Sequence, residues 1–433
     1  MKKKLSVGLI GFGTVGTGTY RILTENAGLI ADRLGVPVEV KRIAVRDLDR
    51  DRGISVPRSM LTTNPMAIVE DPEIDIVAEL IGGLQPAKDL ILAALARGKH
   101  VVTANKALLA SDGAEIQAAA LQAGLAVGFE GAVGGGIPII KALGESLAAN
   151  RILSLYGIIN GTTNYILTKM TEEDRTFADV LAEAQRAGYA EADPTFDVGG
   201  IDTAHKLTVL VNLSFGASIT ADDVFTEGIA SISPVDIDFG KEFGYRVKLL
   251  AIAKARGGSI EARVHPTMVP EDYPIAKVGG VYNAIQIVGD ACGDIMLYGR
   301  GAGSMPTGSA VVADIMDIGR GILMEPARRL SSRSAPANVR LRSMEEVETV
   351  YYVRFMALDR PGVLSQISGV FGRQDISIAN VIQRGRKQGG AVPLVIMTHT
   401  ARERDMRKAL AEIRNLATIS EEPVLIRVEG GES

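Results

Sequence analysis

The sequence predicts an α/β protein in three parts: a doubly wound parallel sheet, a second α+β domain, and a small C-terminal domain of order βαββαβ. Three observations predict it. Through residues 1–134, short apolar runs alternate with helical patterns, with strands expected at 5–10, 38–45, 74–80, 100–104 and 125–129 and helices at 17–26, 87–97 and 114–123. A glycine-rich turn joins the first strand directly to the first helix. Beyond a stretch rich in Arg, Ser, Ala and Pro at 326–342, strands are expected at 350–357, 376–383, 391–398 and 424–428, with helices ending at 373 and spanning 403–416.

The glycine-rich turn is Gly11-Phe12-Gly13-Thr14-Val15-Gly16. A strand before G-x-G-x-x-G and a helix after it make the dinucleotide signature: the glycines allow a tight turn and let the backbone approach a pyrophosphate. The first domain is therefore expected to be of the Rossmann type. Its second strand ends at Arg46-Asp47, where such a site tells its ribose apart. An acid there suits a 2′-hydroxyl and an arginine a 2′-phosphate; Arg46 comes first, which leans towards NADP over NAD. Lys106 follows the strand at 100–104, so it is placed to reach cofactor or substrate, or else is a solvated loop lysine.

Composition sets outer bounds. The chain has 433 residues, is 46% hydrophobic and 23% charged, and carries a net charge of −4, so nothing argues for nucleic acid or an anionic membrane surface. No segment reaches the roughly 18 apolar residues of a membrane span. The one cysteine, Cys292, allows no intrachain disulfide, which fits a reducing cytoplasm. The lysines at positions 2–4 imitate the start of a signal peptide, but the apolar run after them breaks into the glycine-rich loop.

The second domain, expected at 135–304, is reached through Glu130-Gly131-Ala132-Val133-Gly134-Gly135-Gly136-Ile137-Pro138. Its composition suits a hinge, and its carbonyls also suit a hard cation. A strand at 151–159 runs into Asn160-Gly161-Thr162-Thr163-Asn164, small polar residues that cap a helix or hold a carboxylate. A helix at 177–187 stops at Gly188. Glu191, Asp193, Asp197 and Asp202 then precede Lys206, with breakers at Pro194 and Gly199-Gly200 and a helix expected from Ile201. Asp202 and Lys206 share a helix face with Val209 and Leu213, so Lys206 is either half of an Asp–Lys pair or a catalytic proton donor. Strands are expected at 261–269, 283–288 and 294–298. A glycine-rich loop through Gly303 then leads to a helix at 305–325 that returns the chain to the first domain.

Residues 157–167, Gly188-Tyr189-Ala190-Glu191-Ala192-Asp193-Pro194 and 197–206, together with the nucleotide loop, resemble homoserine dehydrogenase. The resemblance spans essentially the whole chain. It implies reversible reduction of L-aspartate 4-semialdehyde to L-homoserine with NAD(P)H, on the route to threonine, methionine and isoleucine. Lys206 would donate the proton; Glu191 and Asp202 would bind the substrate ammonium, with Thr162 and Asp197 lining the site and Lys106 touching cofactor and substrate. Gly188 and Gly303 would join the loop 11–16 and Arg46 as cofactor contacts. Glu130 with the carbonyls of Val133, Gly135 and Ile137 would hold a sodium ion, which overturns the hinge reading. No kinase-like segment precedes Met1, so no fused aspartate kinase is expected.

An aldehyde reduction needs a proton donor at the carbonyl oxygen, whereas oxidation to an acyl phosphate needs a thiol. Cys292 lies between Asp290 and Asp294, which oppose thiolate formation. The C-terminal part, at 348–433 after a linker at 326–347, carries Asp359-Arg360-Pro361-Gly362-Val363-Leu364 and resembles an ACT domain. That resemblance implies an allosteric amino acid, L-threonine by its place downstream, bound near 359–364 and Asn380 of a homodimer or homotetramer. A cut near Arg342 is then expected to keep activity and lose the response. A ferredoxin-like assembly domain without ligand, another NAD(P)-dependent reductase of an amino-acid aldehyde, and a non-catalytic sensor are the rival readings.

Overall fold

The computed structural model describes residues 2–324, 339–385 and 390–430. The chain forms two compact units, each assembled from separate segments. The first comprises Met1–Ile152, His205–Asp222 and Asn283–Val339; the second comprises Leu153–Ala204, Asp223–Tyr282 and Arg340–Ser433.

The first unit holds an all-parallel sheet in the order Leu61–Thr62, Val38–Ala44, Leu5–Ile10, Ile76–Glu79, His100–Thr103, Val127–Gly128. Chain order reverses beside Leu5–Ile10, which makes the doubly wound arrangement. All six residues of that strand are buried, because helices cover both sheet faces. Alternation divides them: Leu5, Val7 and Leu9 join one core with Val311 and Ile315, and Ile10 joins the other with Val77, Leu90 and Leu108. Helix Ser304–Leu323 lies against helix Thr14–Glu25 at backbone distance. A Cβ on Gly18 would stand 2.0 Å from the Ser304 oxygen, and one on Gly308 would stand 2.7 Å from the Gly18 carbonyl carbon. Strands Tyr282–Gly289 and Gly293–Arg300 belong to the other, mixed sheet, Tyr282–Gly289 lying beside Ile152–Ile158.

The second unit carries a mixed sheet. Strands Ile152–Ile158, Tyr245–Arg256 and Ser259–Pro270 are antiparallel in that order. Val424–Val428 then lies parallel to Ser259–Pro270, Thr267 facing Arg427, and antiparallel to Glu348–Leu358. Ala391–Thr398 and Ile378–Gln383 complete the row. Helices Val363–Arg373 and Glu403–Ile413 bury Ile367, Phe371 and Met406 against Tyr351, Val353, Phe355 and Ile396. The βαββαβ domain thus continues the preceding sheet through its last strand.

Several elements differ from the expectation. The helix placed at 114–123 runs Lys106–Ala123, because the Asn105 side chain accepts the Leu108 N–H and caps it eight residues earlier. Helix Pro234–Glu242 was missed, although Ser233 and Asp236 form a capping box with Pro at the first position. Strand Tyr245–Arg256 was missed as well; its middle is a continuous buried run that shows no period of two. Of the expected linker at 326–347, residues 326–338 lie outside the described ones. Its far end is structured: Arg340–Leu341 pairs with Ser259 and Ile260, and the Arg342 N–H donates to the Ile260 oxygen at 2.7 Å.

Candidate active site

The nucleotide loop is shaped by its glycines. Gly11 has φ of +107°, and a Cβ there would meet the Leu80 carbonyl at 2.7 Å. Gly16 approaches the Gly11 oxygen so closely that a Cβ would stand 2.3 Å from it. Gly13 is the N-cap of helix Thr14–Glu25, has no atom within 4 Å of where its Cβ would be, and leaves the first N–H groups without a side-chain cap. Open space before uncapped N–H groups fits a pyrophosphate. Phe12 packs edge-on against Tyr20 at 5.6 Å, Val15 is half-buried, and Thr14 faces out. Beyond the second strand, Arg46 and Asp47 are both exposed. The Asp47 backbone oxygen accepts from Arg52, at 2.5 Å, so a second arginine, not singled out in the sequence, joins this loop.

The ends of the next two strands are tied together by Glu79, which is fully buried. One of its oxygens accepts the N–H groups of Ile81 and Gly82, and the other accepts the Thr103 hydroxyl at 2.7 Å. Thr103 in turn accepts the Asn105 N–H, and the Asn105 amide donates to the Gly83 oxygen. This network fixes the residue before Lys106, which begins its helix half-buried. Glu79 carried no local signal, since an acid closing an apolar strand reads equally well as a solvated end.

Glu130 is 3% exposed, and among the described residues its carboxylate bonds backbone N–H groups rather than a cation. Its carboxylate accepts the N–H groups of Ile140 and Lys141 at 2.8 and 2.9 Å, and its own N–H donates to Asp314 at 2.8 Å. Burial raises the Glu130 carboxyl, and burial pushes Asp314 up to about 7. Val133 and Ile137 are buried, and Gly135 has φ of +55° with its Cβ position 2.6 Å from the Gly301 carbonyl. A buried carboxylate is an oxygen ligand of the hard type that a monovalent cation takes. Among the described residues there is no cluster of three His, Cys, Asp or Glu side chains, so a transition-metal centre has no ligands there.

In the second unit, Asn160 caps helix Gly161–Glu173 and does more than cap it. Its carbonyl accepts the Thr163 N–H at 2.8 Å, while its amide donates to Asp197 at 2.7 Å and to Asp202 at 2.8 Å. One neutral amide therefore brings two carboxylates together from either side of Gly199-Gly200. Asp202 is 2% exposed. Helix Ile201–Phe215 carries it in its first turn and Lys206, 8% exposed, one turn later. The half-buried Thr162 donates its hydroxyl to the Tyr189 oxygen at 2.6 Å, and Gln185 donates to the oxygens of Glu191 and Ala192. These bonds shape the segment that presents the exposed Glu191. Gly188 closes its helix with φ of +75° and open space around it. Gly303, exposed, is the N-cap of helix Ser304–Leu323 with φ of +123° and no side-chain cap. Asn160 and Gln185 were not assigned roles from the sequence. The run Asn-Gly-Thr-Thr-Asn marked the position but not the two acids it would reach.

Known proteins resolve the reading. The homoserine dehydrogenase profile matches residues 138–316, its NAD-binding-domain profile matches 11–130, and the ACT-domain profile matches 351–418. The homoserine dehydrogenases of a Synechocystis strain and of Pseudomonas aeruginosa are each 46% identical, covering 98% and 99% of this chain and 99% of their own. The chain belongs to the homoserine dehydrogenase family. A homoserine dehydrogenase structure from Thiobacillus denitrificans aligns with a TM-score of 0.94 at 48% identity, over 99% of this chain and 98% of that one. An archaeal family member solved in complex with NADPH aligns with a TM-score of 0.62 at 28% identity, over 73% of this chain and 97% of its own. The protein is accordingly an NAD(P)-binding oxidoreductase with a C-terminal ACT domain.

Proposed function

We propose that the protein interconverts L-aspartate 4-semialdehyde and L-homoserine, with Lys206 as the proton donor and NADP as the favoured cofactor. The observation that carries this is the convergence of Asp197 and Asp202 on Asn160, with the buried Lys206 one turn beyond Asp202 on the same helix. Bound at the loop 11–16, the cofactor supplies hydride to the aldehyde carbon or takes it back. The Lys206 ammonium gives a proton to the developing alkoxide, and the neutral amine recovers it in the reverse direction. Glu191 and Asp202 hold the substrate ammonium, Thr162 and Asp197 line the site, and Lys106 reaches cofactor and substrate. Gly188 and Gly303 add backbone contacts to the cofactor, and Arg46 meets the 2′-phosphate. Glu130 and the carbonyls of Val133, Gly135 and Ile137 hold sodium, which steadies the turn between sheet and second domain.

The same reading gives the enzyme a place in threonine, methionine and isoleucine synthesis in the cytoplasm, and gives its ACT domain L-threonine as effector. Gly362, with φ of +91°, caps helix Val363–Arg373 without a side chain, which leaves N–H groups for a carboxylate near Asp359 and Asn380. A homodimer or homotetramer is supported by strand Gly293–Arg300, whose Met296 and Tyr298 are exposed on one face. Among the described residues no helix is long and apolar enough to cross a membrane. The test is NADP reduction at the nicotinamide absorbance with L-homoserine, repeated with rising L-threonine. Reduction that does not depend on homoserine removes the substrate assignment, and an enzyme indifferent to threonine removes the effector.

A further inference from the structure

We infer that Arg427, on the last strand of the chain, is a positioning residue for the substrate acids. Through Glu227 it holds residues 227–229 against Val198 and Gly199, and so sets Asp197 and Asp202. The inference rests on the assignment of those two acids to the substrate.

Arg427 is 2% exposed. Its Nε and Nη2 donate to the two oxygens of Glu403 at 2.9 and 2.5 Å, a bidentate pair with the first residue of an ACT helix. The Tyr351 hydroxyl and Arg407 bond the same carboxylate, so Glu403 is fixed from several sides. The remaining corner of the guanidinium donates from Nη1 to Glu227 at 2.8 Å, and its Cζ lies 5.1 Å from the centroid of the Phe225 ring. A planar fork with one edge locked on Glu403 leaves Glu227 little freedom to choose its place.

Glu227 passes that position on through the main chain. Its N–H donates to the Val264 oxygen at 2.8 Å. The next residue, Gly228, touches the substrate loop backbone to backbone: a Cβ there would stand 2.3 Å from the Val198 oxygen and 2.7 Å from the Gly199 Cα. The Ile229 N–H donates to the Val198 oxygen at 2.9 Å. With no side chain between the two segments, nothing cushions a displacement of one from the other. Val198 directly follows Asp197, and Gly199-Gly200 leads into the turn that carries Asp202. The Asn160 amide, whose two donors already bond both acids, then sets them relative to each other. A shift of the ACT helix at Glu403 is thereby felt where the substrate ammonium binds, without passing through solvent.

The experiment uses the full chain. Glu227→Gln keeps the shape of the side chain and leaves the Arg427–Glu403 pair intact; Arg427→Lys keeps the charge but cannot span both carboxylates. KM for L-homoserine should rise about three- to tenfold in each, with KM for NADP and the unfolding midpoint of Glu227→Gln near wild type. The double variant should be no worse than the worse single, since both break one connection. An unchanged homoserine KM in a normally stable Glu227→Gln overturns the inference. So does additivity of the two, or an equal rise of both KM values with a lowered midpoint, which marks a structural role alone. Asp197→Asn is measured alongside. If it leaves homoserine KM unchanged, the assignment of the acid has failed; if it raises KM while Glu227→Gln does not, only the positioning role has failed.

Discussion

Two cations on neighbouring strands are withdrawn from water to a similar degree, yet titrate in opposite directions. Lys248 on Tyr245–Arg256 is 6% exposed, and Arg263 on Ser259–Pro270 is 2% exposed. Lys248 donates to the Val278 oxygen at 2.6 Å and to the Asn164 amide oxygen at 3.3 Å, both neutral, and burial pulls it down to about 8. Burial presses on Arg263 in the same sense, but Glu429 and Glu261 outweigh it and leave its pKa raised. His265, fully buried beside it, is driven well below its usual range by burial and by Arg427 and Arg263, so it stays neutral and accepts from Arg263 at 3.2 Å. Burial alone therefore does not say what a cation does; the charge of its partners does. Lys206, 8% exposed and one turn past Asp202, belongs with these buried cations, and the proton transfer proposed for it would require a change of protonation state.

That comparison is sharpened first at Lys206. Lys206→Ala should lower turnover by ~10² or more while NADP still binds, as expected for loss of a general acid. Turnover within a few-fold of wild type would mean that another residue supplies the proton. Arg263→Met comes next. It strands Glu261 and Glu429, although Lys254 and Arg342 still reach them at 2.5 and 3.1 Å, so the loss should be about 3 kcal/mol, the lower end for breaking a buried pair. Urea unfolding reads it, and a loss well under 1 kcal/mol would show that Arg263 is no better served than Lys248.

Lys248 gives the pH test. Its folded pKa of about 8 lies below the unfolded value of 10.5, so between those values the unfolded chain binds more protons. Wild-type stability measured against Lys248→Met should therefore climb from pH 8 to 10.5, by on the order of 2 kcal/mol. A flat difference over that range would mean the lysine titrates normally. The smallest effect belongs to an exposed cation. Arg46→Ala should weaken NADP about tenfold and NAD hardly at all, because only NADP loses a phosphate partner. Equal losses would take Arg46 off the phosphate.

Much of this molecule was legible where chemistry and local pattern coincide. The glycine loop, the helix from Ile201 and the strand 391–398 stand where the residues placed them, because each combines apolar periodicity with a breaker at its edge. What escaped was charge inside strands. Arg263 and Arg427 lie inside strands and Glu429 just after the last one, and only the pairing of Ser259–Pro270 with Val424–Val428 brings Glu429 to Arg263. Asn160 escaped in the same way: its cap was local and readable, but its bonds to Asp197 and Asp202 reach 37 and 42 residues onward. The cut near Arg342, expected to be clean, would remove Val424–Val428 from its place beside Ser259–Pro270 and strip Arg263 of Glu429. Loss of activity in such a fragment would report a broken sheet as readily as lost regulation.

The place of that last strand also bears on synthesis at the ribosome. Ser259–Pro270 is made about 150 residues before its parallel partner. At roughly 5–20 residues per second, its edge waits for on the order of 10 s or more. During that interval the Thr267–Met268 end of the strand is an open edge, a template for pairing with another nascent chain, whereas Arg263 and Val264 are already paired with Phe225 and Thr226. The ACT domain closes that edge only when its final residues leave the exit tunnel. The ACT domain would thus also decide how much enzyme reaches the folded state at all.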